Sequence, residues 1–68
     1  MNITIGKFPG TSIRSIVLPE GAKVRDALAA SGIDSTGFDI RINGSAGTVD
    51  SPVSEGNAVL LTQKIKSN

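Results

Sequence analysis

Hydrophobic residues alternate with polar ones at the start of the chain, with Ile3 and Ile5 set between Asn2, Thr4 and Gly6. This period of two marks a short strand, and Pro9-Gly10 ends it, since proline cannot donate to a ladder and glycine accepts positive φ. A second strand is expected from Thr11 to Leu18, at hairpin distance. After the turn cluster Pro19-Glu20-Gly21 the period changes to about 3.6, placing Val24, Ala27, Leu28 and Ser31 on one helical face. The spacing predicts one helix over Lys23 to Ser31, with Gly32 as its left-handed C-terminal cap and Ile33 beside it. No Ser, Thr, Asp or Asn stands at its N-terminal cap, which leaves Asp26 in the first turn as the favourable charge for the dipole.

Alternation returns from Phe38 to Ile42, with Phe38, Ile40 and Ile42 on one side and Asp39 and Arg41 on the other. Asn43-Gly44 is a tight-hairpin pair. Thr48-Val49 is expected to form a brief edge strand, followed by a polar loop from Asp50 to Gly56 anchored by Val53. The last strand, Ala58 to Ile65, carries Val59, Leu60 and Leu61 in succession, as suits a central strand with little solvent on either face. It runs to the end of the sequence with no tail expected beyond it. One helix of this length spans roughly 13 Å, enough to cover one face of a small sheet and leave the other open.

The segment Leu18-Pro19-Glu20-Gly21-Ala22-Lys23-Val24-Arg25-Asp26-Ala27-Leu28 resembles the Leu-Pro-Glu-Gly-Ala-Thr-Val run that leads into the helix of the ubiquitin-like sulfur carriers of thiamin and molybdopterin synthesis. Ile40-Arg41-Ile42-Asn43-Gly44 is similar to their third strand and its turn, and Glu55-Gly56-Asn57-Ala58-Val59-Leu60-Leu61 to the approach to their final strand. The resemblance covers nearly the whole chain. It implies an α+β fold of the β-grasp type, a mixed four- to five-stranded sheet with one helix across one face, as a single domain over residues 1–68.

Two departures from that family matter. Lys23 stands where the carriers have a capping Thr, at a cost of about 1 kcal/mol in helix stability. The carriers end in a diglycine that threads a narrow channel in an activating enzyme, where its carboxylate is adenylated and becomes a thiocarboxylate. Ser67 and Asn68 occupy those positions here, and side chains there should obstruct the passage.

Composition narrows the chemistry. The chain has 68 residues, 38% of them hydrophobic, and no Cys or His. Disulfides, thiolate ligands, the commonest zinc ligand and the usual general base near neutral pH are all missing. A domain of this size buries roughly 60% of its unfolded surface, so packing must supply the stability. No secretory leader or membrane span is visible, and a cytoplasmic location without membrane contact is expected; Asn2-Ile3-Thr4 and Asn43-Gly44-Ser45 match the glycosylation pattern by chance on that reading. Asp34-Ser35-Thr36-Gly37 is a turn-rich loop rather than a protease motif. Gly44-Ser45-Ala46-Gly47 lacks the Gly-Lys-Ser/Thr ending of a phosphate loop, and Asp50, Ser54 and Glu55 lack calcium-loop spacing. No catalytic residue, metal or cofactor is expected.

Seven basic and six acidic residues give a net charge of +1, so position matters more than total. The acids are expected in the helix, in loops or beside a turn, and Arg14, Arg41, Lys64 and Lys66 on or beside strands. If Ile3, Ile5, Ile16, Leu18, Ile40, Ile42, Val59 and Leu61 face the helix, alternation sends Thr4, Ile13, Val17, Arg41, Leu60, Thr62 and Lys64 to the open face. One reading of that face is a protein-binding surface centred on Leu60 and Arg41, with Thr62, Lys64 and Lys66 towards its edge. The other is an ordinary small sheet whose exposed β-branched residues carry no partner and whose lysines discourage edge pairing. Nucleic acid is disfavoured, because Phe8 and Phe38 are the only aromatics and sheet recognition of single strands relies on aromatic platforms. The expected function is non-catalytic binding of a partner protein through the open face and C-terminal strand. The alternative is a sulfur carrier or modifier whose C-terminus, Ser67-Asn68, is activated by an adenylating or sulfur-transfer enzyme.

Overall fold

The computed structural model describes residues 1–63. Its elements run β1 (Asn2–Phe8), β2 (Thr11–Val17), α1 (Val24–Ser31), β3 (Phe38–Ile42), β4 (Ser45–Gly47) and β5 (Ala58–Gln63). The five strands form one mixed sheet in the order β2-β1-β5-β3-β4. β5 sits in its centre, parallel to β1 and antiparallel to β3. A run of three consecutive apolar residues, Val59 to Leu61, is what such a position requires, since neighbours flank it on both sides.

The helix lies over one face. Ile3, Ile5, Leu18, Ile40, Val59 and Leu61 from the sheet meet Val24 and Ala27 from α1, with Ala22, Ile33 and Val53 closing the ends of the core. Ile16, Leu28, Phe38 and Ile42 pack against it half-buried. These are the side chains that alternation and the helical period assign to the interior. Ser31, the fourth residue of the helical face, returns its hydroxyl to the carbonyls of Ala27 and Leu28.

The helix starts at Val24, with Lys23 as its cap. A lysine side chain has no acceptor to offer, and the chain satisfies the free N–H groups in two other ways. Asp26 Oδ2 accepts from the Lys23 N–H at 2.8 Å, half of a capping box. The N–H groups of Val24 and Arg25 donate to the carbonyls of Ser51 and Val49, both at 2.9 Å. The loop after β4 thereby caps the helix, and Lys23 and Pro52 form an isolated bridge there. At the other end Gly32 adopts φ 72° and donates to the Leu28 carbonyl at 2.9 Å, with Ile33 buried next to it. Arg14 reaches across from β2 and donates to the Ser31 carbonyl, putting a positive charge at the negative end of the helix dipole.

The expected edge strand at Thr48-Val49 is not one. Asn43 (φ 49°) and Gly44 (φ 86°) both take positive φ, so Ile42 pairs directly with Ser45 and the returning strand is Ser45–Gly47. A two-residue turn of this hand starts the ladder at once; β-branched content at positions 48 and 49 does not relocate it. Thr48 and Val49 lie in the loop that caps the helix. β2 ends at Val17 rather than Leu18, although Leu18 still exchanges backbone bonds with Met1. The stretch of the last strand expected beyond Gln63 lies outside the described residues. No helix among the described residues is long and apolar enough to cross a membrane.

Candidate functional site

The face of the sheet opposite α1 is built by register. Gly6 on β1 stands beside Leu60 on β5, Leu60 beside Arg41 on β3, and Arg41 beside Ala46 on β4. Ile13 completes the row from β2. Its Cγ1 lies 2.8 Å from the point a Cβ on Gly6 would occupy, so it leans into the space that glycine leaves empty. The ladder register shifts between Ile5 and Lys7 at this place, and the bulge brings Ile13 over β1. A second row holds Phe8, Thr62 and Asp39, and a third Ser15, Thr4 and Ala58.

Leu60, Thr62 and Thr4 are half-buried by their neighbours, whereas Arg41, Asp39, Phe8, Ile13 and Val17 are exposed. The centre of the face is therefore apolar, Ile13 and Leu60 flanking Gly6, with Arg41 next to Leu60 in the register. Asp39 qualifies the expected charge pattern. It lies within β3 on the same side as Arg41, so the strands carry an acid and the rim of the described face is of mixed sign. The ion pair among the described residues joins Arg25 to Asp50, away from this face.

Of the expected site residues, Arg41, Leu60 and Thr62 come together on the open face, Arg41 beside Leu60 and Thr62 one row away. Lys64, Lys66, Ser67 and Asn68 lie outside the described residues. Phe8 joins the face unannounced by the sequence reading; its parity with Gly6 was the available signal. Lys7, of opposite parity, turns to the helix side and sets its ammonium 4.5 Å from the centroid of the Phe38 ring, a cation–π contact.

Elsewhere, a depression is lined by Met1, Glu20, Gly21, Val53, Ser54 and Glu55. The Glu55 carboxylate there is taken by the Asn2 N–H at 2.9 Å. In the loop before β3, Asp34 accepts from the Thr36 N–H at 2.9 Å, and the Thr36 bonds hold its carboxyl below the usual carboxylate range, with Lys7 adding a small pull in the same direction. No group of three acidic, His or Cys side chains able to hold a metal occurs among the described residues. The open face offers an apolar centre, an arginine and hydroxyls.

No family model matches the sequence, and no curated protein matches it. The structure has clear likenesses. SAMP1 from Haloferax volcanii superimposes with a TM-score of 0.78 over 100% of both chains at 16% identity. A second crystal structure, of H. volcanii small archaeal modifier protein 1, gives 0.77 at 16% identity, covering 94% of this chain and 98% of that one. A putative molybdopterin converting factor, subunit 1, from Pyrococcus furiosus gives 0.74 at 21% identity over 94% and 98%. Identities this low carry the fold and leave the activity to be argued from the site. The five-stranded mixed sheet, its single helix and these superpositions together give the chain a β-grasp (ubiquitin-like) fold, similar to that of a small archaeal modifier protein and of a putative molybdopterin converting factor subunit.

Proposed function

We propose that this chain is a small non-catalytic ubiquitin-like protein that binds a partner protein through its open sheet face and C-terminal strand. The observation that carries the reading is the row Ile13, Gly6, Leu60, Arg41. It sets an apolar centre and an exposed arginine side by side on the face the helix leaves bare. Arg41 and Leu60 form the middle of the contact and Thr62 its margin. Lys64 and Lys66 follow Gln63 in sequence and add two positive charges to the C-terminal segment of the proposed contact. A patch of this kind suits a partner with an apolar contact point and an adjoining carboxylate, since arginine beside a desolvated centre is a frequent anchor.

The test is affinity capture of the tagged protein and of its Leu60→Glu variant from native extract, with mass spectrometry of what co-purifies. A partner held by the parent and lost by a folded Leu60→Glu variant supports the reading. Equal capture by both overturns it.

The fold likeness to a modifier and a converting-factor subunit favours a second reading. In it the C-terminal carboxylate at Asn68, or a processed end, is activated by an adenylating or sulfur-transfer enzyme. Ser67 and Asn68, standing where the sulfur carriers have two glycines, weigh against it. Intact-mass analysis of the C-terminal peptide discriminates: a thiocarboxylate or isopeptide supports the carrier role, and an unmodified terminus in the presence of a captured partner supports binding alone.

A further inference from the structure

The two edges of the sheet are protected unequally. β4 is three residues long, and short edges pair poorly. β2 is seven residues long and contains neither Pro nor Lys, the usual guards. Its one charge, Arg14, is turned to the helix side and engaged by the Ser31 carbonyl.

The backbone direction of β2 follows from its pairing. Leu18 exchanges backbone bonds with Met1, and in an antiparallel ladder such pairs alternate with non-bonded ones. Ile16 and Arg14, opposite Ile3 and Ile5, are thus the next bonded positions. The peptide groups of Ser15 and Val17 consequently point outwards from the sheet edge. Their side chains, with that of Ile13, lie on the open face, where Val17 is 74% and Ile13 54% exposed. These two apolar residues stand at equal distances on either side of Ser15.

We propose that the β2 edge joins two copies of this chain, antiparallel and two-fold symmetric about Ser15. In that register Ser15 faces Ser15 of the second copy, and Val17 of each copy faces Ile13 of the other. Arg14 faces Ile16, so the two guanidiniums are not set opposite each other. Any two-fold contact must be self-complementary; the placement of Ile13 and Val17 about Ser15 meets that condition. A net charge of +1 gives two copies little repulsion to overcome. The bulge ahead of Arg14 bends the strand, and the added ladder ends at Ile13. The contact is then about five residues a side against the ~20–30 of a standard interface, so the dimer is weak, with a dissociation constant of about 0.1–1 mM.

The chain has no cysteine, and a single introduced thiol therefore reports on the contact cleanly. Residues facing each other in a bonded antiparallel pair have Cα atoms about 5.5 Å apart, within disulfide range. The experiment compares Ser15→Cys with Ser45→Cys, on the other edge, for covalent dimer formation under oxidised glutathione. Sedimentation of the unmodified protein and of Val17→Lys is measured alongside from about 10 µM to 1 mM. Ser15→Cys should cross-link about tenfold faster than Ser45→Cys, a separation that the weak dimer's occupancy at the upper concentrations permits. The parent should shift towards dimer, and Val17→Lys should remain monomeric with an unchanged far-UV spectrum. A parent that stays monomeric throughout, equal cross-linking at both sites, or a dimer indifferent to Val17→Lys overturns the proposal.

Discussion

Leu60 and Leu61 are neighbours in sequence and opposites in burial, and exchanging each for a poorer residue measures which face of β5 does what. Leu61 is fully buried in the core, so Leu61→Ala should cost about 2–5 kcal/mol in lost transfer energy and cavity. A domain of 68 residues at ~0.05–0.15 kcal/mol per residue has roughly 3–10 kcal/mol in all. Leu61→Ala should therefore remove a large share of the total stability. Leu60 is half-buried on the open face; Leu60→Glu gives up about 1 kcal/mol of apolar burial. The new carboxylate would lie directly across from Arg41, recovering roughly 0.2–1 kcal/mol as a cross-strand pair. With no Trp or Tyr in the chain, the assay is urea unfolding followed by far-UV circular dichroism. At a slope of about 1 kcal/mol per molar urea, Leu60→Glu should move the midpoint by ~1 M or less. A Leu60→Glu midpoint shifted as far as that of Leu61→Ala would refute the assignment of faces, and with it the use of Leu60→Glu as a binding probe.

Asn43 combines a left-handed backbone with an acceptor, its Oδ1 taking the Ala58 N–H at 2.7 Å; Asn43→Ala should cost about 1–2 kcal/mol in urea unfolding, and Asn43→Gly should recover the backbone part of that loss. Arg14→Gln removes the cation from the helix C-terminus and should lower stability by ~0.5 kcal/mol at low ionic strength, an effect that shrinks when the melt is repeated in 1 M salt. Asp34 has its carboxyl held below the ordinary range by the Thr36 bonds. Its contribution is therefore complete above the unfolded value and is lost as pH falls through the lowered folded value. Asp34→Asn should flatten the acid limb of a stability-against-pH curve in that window by lowering stability at neutral pH, and should leave the acid end, below the folded value, nearly unchanged.

Local chemistry was legible in the residues themselves. Ile3 and Ile5, or Phe38, Ile40 and Ile42, announce a strand and its buried face, because side-chain direction in a strand depends only on parity. Pro19 to Gly21 and Gly32 bound the helix, because both act through φ of the chain nearby. The apolar run from Val59 to Leu61 identified the central strand, and parity alone put Leu60, Arg41 and Thr62 on the open side.

Tertiary structure decided what depends on distant partners. The helix N-terminus is capped by carbonyls of Val49 and Ser51, which no local pattern around Lys23 reveals. That service also keeps Thr48 and Val49 out of a strand, while the Asn43-Gly44 turn fixes the ladder at Ser45. The closeness of Leu60 to Gly6 arises from a parallel pairing between the two ends of the chain, and the lean of Ile13 into the space at Gly6 from a bulge in a third strand. Parity assigns a residue to a face, but only the order and register of the strands bring Ile13, Gly6, Leu60 and Arg41 into one row, since those depend on contacts far apart in sequence.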